Sequence, residues 1–489
     1  MATIPEGIID FKTLEKLVFQ KTCQVACSIM AQYLEQCDKI VKALRDTKEY
    51  ELVDPKREKT IKTLMGEVSY KRAYYRKRSG GYIFLLDDIL GIGNNYGLIS
   101  ENLAEQIVVE CSEKPFRKAA ATISNISGQG ISAMGVWNVL QQCGEKVQEQ
   151  EERLQELDNC GTTGQLGNVE SQVLFEEMDD VWLPMQKEKR RKAGSPDEEG
   201  TKKTGKKPIH VATAYTGWCQ EKDGRYATVD KLAYASFGDV KGFVSDFEIL
   251  LRQRFDMDGV ERRVTNGDGA SWIKTAAEDN DTILQLDPFH RSRAIMRAIS
   301  NKEDRAKVFS AIREKDVEKV LHVIYELITK ASDDTTREKL GKLLGYFYEN
   351  KDSLLTWQER GIDLPAPPEG IVYRNMGVQE ANNCDLITHR MKHRKGSWSI
   401  QGANHMAKIL CFRHTIGFEA MLGPMPVAHP VEDVPEPLSA AKTPEYDGKG
   451  YDGAWLHADM PFEQAFLTYG RGAIRNLLGQ RPLSELSFI

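Results

Sequence analysis

No run in this chain approaches the ~18 uninterrupted apolar residues that a membrane-spanning helix needs. The opening MATIPEGIIDFKTLEK lacks the basic-then-apolar order of a secretory leader. There is also no CxxC pair. The nine cysteines (Cys23, Cys27, Cys37, Cys111, Cys143, Cys160, Cys219, Cys384 and Cys411) are scattered, and no histidine stands near the closest two. That argues against a zinc module and makes buried thiols in a reducing compartment the expectation. Charge of one sign is missing as well. Lys+Arg 66 against Asp+Glu 72 gives a net charge of -6, which rules out a uniformly basic nucleic-acid coat but permits a basic groove on an acidic body. Core material is not short: 489 residues, 41% of them hydrophobic, exclude wholesale disorder and point to roughly three domains at ~150 residues each. A soluble intracellular protein is expected.

Apolar positions between Phe11 and Leu44 recur at spacings mostly of three and four, which predicts a helix over residues 10–46. Its stripe can serve core packing or a dimerising coiled coil. Glu67–Arg76, the RSGG turn and Tyr82–Leu86 read as a hairpin. In it Lys71, Arg72 and Arg76 interleave with Tyr70, Tyr74 and Tyr75, a pattern that suits contact with a nucleic-acid backbone or a solvated strand face. Asp87 and Asp88 in the following FLLDDILGI read as a helix cap. Residues 101–158 are expected to be helical. Within them FRKAAATISNISGQGISAMGVWNVLQQ has the form of a helix-turn-helix, with Ser132 capping the second helix and Val136, Val139 and Leu140 inward. The polar face of that helix, Ser132, Asn138 and Gln141, would enter a major groove; an ordinary helical hairpin is the other reading.

The texture changes at residue 170. Three strand-like runs (VLFEEMDDVWLPM, IHVATAYTGW, RYATVDKLAYASF) surround a tip with nine Lys/Arg between Lys187 and Lys207. Two strand-to-loop units follow, RRVTNGDGASWI and DTILQLDPFH, each ending in an aspartate where the apolar run stops. Residues 302–358 read as all helix, and six of the eighteen prolines fall in 424–444. Antiparallel strands, strand–acid–helix units, a helical insertion and a late acid together suit a ribonuclease H-like mixed sheet within an α+β protein. Asp179, Asp268 and Glu380, 89 and 112 residues apart, are its candidate acids. Three converging carboxylates repel unless cations sit between them, and two Mg²⁺ (or Mn²⁺) ions are the usual solution for phosphodiester chemistry. Each acid also has an ordinary reading. Asp179 competes with Glu176, Glu177 and Asp180, any of which can face solvent; Asp268 can be a turn residue and Glu380 a helix cap. Asp287 and His290 open a helix in Asp-Pro-Phe-His, with Arg291 and Arg293 beside them placed for phosphate. Trp272 and Trp398 read as core anchors. Trp398 has stacking on an unpaired base as its alternative, given nearby Arg390, Lys392, Arg394 and Lys395.

In order along residues 60–480, GEVSYKRAYYR, LLDDILGI, FRKAAATISN with SGQGISAMGVWNV, LFEEMDDVW, NGDGASWI, QLDPFHR, MGVQEANN, RMKHRKGSWSIQGANHMAKIL and GKGYDG resemble the landmarks of the Lre-type bacterial insertion-sequence transposases. That family is also catalogued as a group of uncharacterised proteins and is similar to the wider Mutator-like group. The resemblance implies a DDE transposase that cuts and rejoins double-stranded DNA at the terminal inverted repeats of its element and inserts it into target DNA. Such an enzyme would act as a homodimer or larger assembly at the bacterial nucleoid, in the cytoplasm. It implies Asp179, Asp268 and Glu380 as the catalytic, metal-holding acids and Asp287 and His290 as the Cys/Asp-x-x-His signature. His290, Arg291 and the basic segment with Arg390, Lys392 and Arg394 would position phosphates or the leaving strand. One departure stands out: the family pattern is Glu-Ala-Asp-Gly, and this chain has Met178-Asp179-Asp180. The rivals are a domesticated copy that only binds DNA and a structure-specific nuclease of the same fold. The expected division is an N-terminal helix for oligomerisation (1–60), hairpin plus helix-turn-helix (61–165), catalytic core (166–300), helical insertion (301–365), core again (366–420), and a Pro-rich arm (421–489).

Overall fold

A computed structural model describes residues 10–92, 98–161, 167–186, 205–278, 282–393 and 396–415. The Lys-rich tip at 187–204, Arg394 and Lys395, and the Pro-rich arm lie outside these residues. Contacts divide the chain into two units. Among the described residues one holds Asp10–Ala104 together with Ser124–Gly130, and the other holds Glu105–Ile123 and Ile131–Thr415.

In the first unit, helix α1 (Phe11–Leu44) starts at Asp10, whose carboxylate accepts the Thr13 N–H at 3.0 Å. Strands β1 (Tyr50–Thr63), β2 (Gly66–Lys77) and β3 (Tyr82–Ile83) form an antiparallel sheet, followed by α2 (Leu85–Ile89). The expected hairpin partner of β2 reduces to two residues of β3. The main partner is β1, which crosses the expected boundary at residue 60. Its sequence hides it: YELVDPKREKTIKT is charged and carries Pro55, and the ladder shifts register on both sides of Asp54 to accommodate it. Leu34 of α1 packs with Ile61, Val68, Tyr70 and Leu86. Glu35 and Asp38 of α1 accept the Lys71 and Ala73 N–H groups of β2, both at 3.0 Å, so the helix satisfies strand donors that β3 is too short to reach.

In chain order α3 (Glu101–Glu113), α4 (Phe116–Ser127) and α5 (Ala133–Asn159) follow α2. Ser132 caps α5, and Val136, Val139 and Leu140 are buried.

The second unit is built on β4 (Val173–Pro184), β5 (Lys206–Tyr215), β8 (Leu232–Ser236), β9 (Arg262–Gly267) and β10 (Thr282–Leu286). A separate small ribbon, β6 (Gly217–Gln220) with β7 (Tyr226–Val229), falls between β5 and β8. The five-stranded order is β10-β9-β4-β5-β8. β5 is antiparallel to β4 and β8, while β9 runs parallel to both β4 and β10. Alternation along β4 sends Leu174 and Met178 to one face, against Phe243 and Phe247 of α6 (Val240–Arg254) and Trp272 and Ile273 of α7 (Ser271–Ala276). Phe175 goes to the other face, with Tyr215, Trp218 and Met376. Trp272 is thus a core residue, as expected. Helix α8 (Pro288–Ala298) shares a core with α9 (Lys302–Arg313), α10 (Val317–Lys330) and α11 (Asp334–Glu349). The chain closes through α12 (Trp357–Arg360), α13 (Gln379–Asn383), a π-helical turn (Cys384–Thr388), α14 (His389–Met391) and α15 (Ile400–Thr415). The protein is therefore a mixed α+β structure with a five-stranded mixed sheet. Among the described residues no helix is long and apolar enough to cross a membrane. All nine cysteines are unbridged. Cys111, Cys143 and Cys411 are buried as expected, whereas Cys160 and Cys384 are exposed.

Candidate metal centre

Register alone brings three of the expected aspartates into one row. Met178 pairs with Gly267 across β4 and β9, and Gly267 with Leu286 across β9 and β10. The next residues in the three neighbouring strands are Asp179, Asp268 and Asp287, the last two just beyond their strands' carboxyl ends. Asn-Gly-Asp-Gly has a steric reason here. A Cβ on Gly267 would meet Ile273 side-chain carbons at 2.8 and 2.9 Å. Gly269 holds φ at +86° and faces the Asn350 amide, which a Cβ would meet at 2.6 Å. Asp268 accepts the Ala270 N–H at 2.9 Å and its own carbonyl accepts the Tyr346 hydroxyl at 2.5 Å, which fixes the loop.

Asp-Pro-Phe-His is equally local in its logic. Asp287 caps α8, accepting the Phe289 and His290 N–H groups at 2.7 and 3.1 Å, and Pro288 occupies the first helical position. The other Asp287 oxygen accepts the Asn266 amide at 2.7 Å. With the first turn held this way, His290 Nε2 lies 3.9 Å from Asp179 Oδ2. Ligand atoms of Asp179, Asp268 and His290 all lie within 4.8 Å of one another. Glu380, exposed on α13, lines the same small cavity together with Asp287.

The placement of Glu380 depends on Glu177, which sequence reasoning left as a possible solvent-facing acid. Two residues before Asp179, it lies on the same face of β4 and is fully buried. It accepts the N–H groups of Gly377, Val378 and Gln379 at 3.2, 3.2 and 2.9 Å, the Tyr215 hydroxyl at 2.6 Å and the Asn266 amide at 3.3 Å. A carboxylate thus docks the start of α13 onto the sheet. Gln379 accepts from Thr213 at 3.0 Å and donates to Asn383 at 3.0 Å, and Asn383 donates to Asp179 Oδ2 at 2.7 Å. The signals were strand alternation for Glu177 and the i, i+4 spacing of Gln379 and Asn383.

On the opposite face of β4, Glu176 is buried against Arg263 at 2.6 Å, and Asp180 meets His210 Nδ1 at 2.6 Å, its cross-strand partner. Asp179, not Asp180, therefore lines the cavity, and Asp180 points to the other face. Burial, above all, pushes the Asp179 carboxyl up to about 6. The nearby His290 opposes this, and the Asp268 and Glu380 carboxylates add to it. Burial likewise raises Glu177 above the usual carboxylate range despite its donors.

Other expected site residues fall elsewhere. Arg291 is buried and forms a two-pronged pair with Glu359 at 2.8 and 3.0 Å, with a further bond to the Leu354 carbonyl, so it anchors α8 and has no reach to phosphate. Arg72 is buried against Asp87 at 2.8 Å with its guanidinium 3.7 Å from the Phe84 ring centroid, which removes it from any nucleic-acid face. Asp87 is accordingly an ion-pair hub and not a helix cap. Gln141 turns inward to His405 of α15 at 2.9 Å. Arg390 is buried, donating to the Cys111 carbonyl at 2.6 Å, and Trp398 is buried with its indole N–H on the Met391 carbonyl at 2.9 Å. Lys71, Arg76, Ser132, Asn138 and Lys392 are exposed; Arg394 lies outside the described residues.

The fold and site define a mixed α+β protein with clustered carboxylates and an imidazole at the end of its parallel strands, a donor set able to hold a metal ion. The model of an uncharacterised protein family, UPF0236, matches residues 5–420, and the chain belongs to that family. A UPF0236 protein of Caldanaerobacter subterraneus subsp. tengcongensis is 25% identical over 386 residues, covering 78% of this chain and 72% of the relative. Another, from the vanSb 3' region of Streptococcus gallolyticus, is 22% identical over 419 residues, covering 83% of each. Among solved structures, the Drosophila P element transposase strand transfer complex aligns over 68% of this chain and 83% of that one, at 8% identity and a TM-score of 0.21. The pre-cleavage Mos1 transpososome aligns over 52% and 79%, at 9% identity and a TM-score of 0.14.

Proposed function

We propose that this chain is a DDE-type transposase that cuts and joins DNA at the ends of its own insertion sequence. The observation that carries this reading is the convergence of Asp179, Asp268, His290 and Glu380 on one small cavity. Support also comes from the strand order and directions, which are those expected of a ribonuclease H-like sheet. The donor set fits a hard divalent cation: carboxylate oxygens dominate, the Asp268 and Glu380 carboxylates repel Asp179, and a metal would displace the proton that burial favours on Asp179. Bound there, Mg²⁺ or Mn²⁺, two ions in this proposal, supplies an activated attacking oxygen and a stabilised leaving oxygen.

Asp179 and Asp268 hold the metal side of the site on adjacent strands, and Glu380 completes it from a helix docked by Glu177. Asn383 donates to Asp179 Oδ2 and holds that carboxylate at the cavity. His290 is placed by its cap to ligate or to hold a proton at Nε2 near the scissile phosphate. In this scheme α4 and α5 form a helix-turn-helix that reads the terminal inverted repeats with the exposed Ser132 and Asn138. Lys71, Arg76 and Lys392 contact phosphates, and two copies pair the two ends.

The test uses the full chain with labelled duplex DNA carrying its element's ends, in Mg²⁺ or EDTA, beside Asp268→Asn. Joined products that vanish with EDTA and with the variant are expected. Binding without cutting would leave a DNA-binding relic, and cutting without joining a nuclease.

A further inference from the structure

A second cavity, about 690 Å³, lies in the same unit and is lined by residues of α4, α5, the end of β4 and the segment before α15. Its floor is aromatic and closed. Phe116 and Trp398 meet edge to face with centroids 6.1 Å apart, and the buried Arg390 guanidinium sits 4.9 Å from the first ring and 5.3 Å from the second. Its wall is aromatic and open: Trp137 is 36% and Met134 65% exposed, large apolar surfaces left in water. Polar groups edge the same space. Gln186 donates to the Ser397 carbonyl at 3.1 Å, and the exposed Ser399 stands beside it. Among the described residues the lining carries two arginines, exposed Arg117 and buried Arg390, and no carboxylate, in a chain whose net charge is -6. Lys206 and Lys207 pair with Pro184 and Leu183 at the adjoining end of β4, and both are exposed.

We infer that this cleft binds an unpaired nucleobase of single-stranded DNA, stacked on Trp137, with Arg117 meeting the adjoining phosphate. Bases stacked inside a duplex keep their faces against one another, whereas a splayed base presents a π-face to an open aromatic wall and polar edges to amide and hydroxyl groups. Two arginines with no carboxylate among the described lining residues favour a polyanion over an acidic or purely apolar peptide. The cleft is also placed for such a strand. Gln186 follows Asp179 on the same extended segment by seven residues, roughly 20 Å at strand rise. An end freed at the acidic site would need only a few nucleotides to reach it. The inference takes its ligand class from the DNA reading above but requires no catalysis.

The experiment is fluorescence anisotropy of the full chain in EDTA with a labelled oligothymidylate and, separately, a duplex of equal length. Trp137→Ala is expected to weaken single-strand binding about 10-fold, within the range found for one lost base stack, while duplex binding changes less than about 2-fold. Trp137→Phe, which keeps a stacking ring, should restore most of the affinity and controls for folding. Unchanged single-strand affinity in Trp137→Ala, an equal loss on duplex, or no rescue by phenylalanine would overturn the proposal. Because EDTA removes the metal, failure of DNA cutting leaves this result unaffected, and the two readings fail separately.

Discussion

Asp87 and Asp179 are both aspartates held almost out of water, one in each unit, and their surroundings differ in charge balance. Asp87 meets Lys59 at 3.0 Å, Arg72 at 2.8 Å and the Tyr70 hydroxyl at 3.1 Å. Two cations answer one carboxylate, and the group is closed to anything further. Asp179 has an amide at 2.7 Å and an imidazole at 3.9 Å, while Asp268 and Glu380 add negative charge to it. Buried carboxylates are thus tolerated in two ways, and only the second leaves a place for a cation from solution. Glu176, matched by Arg263 on the far face of β4, belongs with Asp87.

The sharpest way to break this contrast is to neutralise each acid in turn. Asp179→Asn should reduce metal-dependent DNA cutting by about 10³-fold or more without lowering the melting temperature in EDTA, since it relieves uncompensated charge. Asp87→Ala should do the reverse in kind: it strands Lys59 and Arg72 and should destabilise the first unit by about 3–5 kcal/mol, measured by urea unfolding. Glu177→Gln presents an amide to three backbone donors. It should weaken Mn²⁺ binding by about 10- to 100-fold, as loss of an outer partner commonly does, with strand β4 still folded by circular dichroism.

The same contrast can be read in pH dependence. The Asp179 carboxyl stands at about 6 in the fold against an ordinary 3.8, so the folded state holds its proton more tightly. Its contribution to stability is full below about pH 4, is lost as pH rises through about 6, and is flat above. In EDTA, melting curves of the protein and of Asp179→Asn should therefore diverge between pH 4 and 6 and run parallel from 7 upward.

What the sequence made legible follows from how local each cause is. Asn-Gly-Asp-Gly and Asp-Pro-Phe-His announce themselves because turn sterics and helix capping act within four residues. Asp268 and Asp287 were readable because each marks the place where an apolar run stops, whereas Asp179 lies mid-strand among other acids. The partners of Arg291 and Gln141, Glu359 and His405, stand 68 and 264 residues away, so nothing nearby distinguishes a buried arginine from a phosphate-binding one. Strand β1 escaped notice because Pro55 and dense charge conceal a strand whose burial comes only from its neighbours. Glu177 was legible in principle: alternation from Phe175 to Asp179 places it inward, where a carboxylate needs donors.

Titration of Mn²⁺ into the metal-free full chain, followed by electron paramagnetic resonance, tests the central claim most directly. Saturable binding that disappears in Asp268→Asn, with that variant still folded, is the predicted result. Binding that persists unchanged in the variant, or no saturable binding by the unaltered protein, would contradict it.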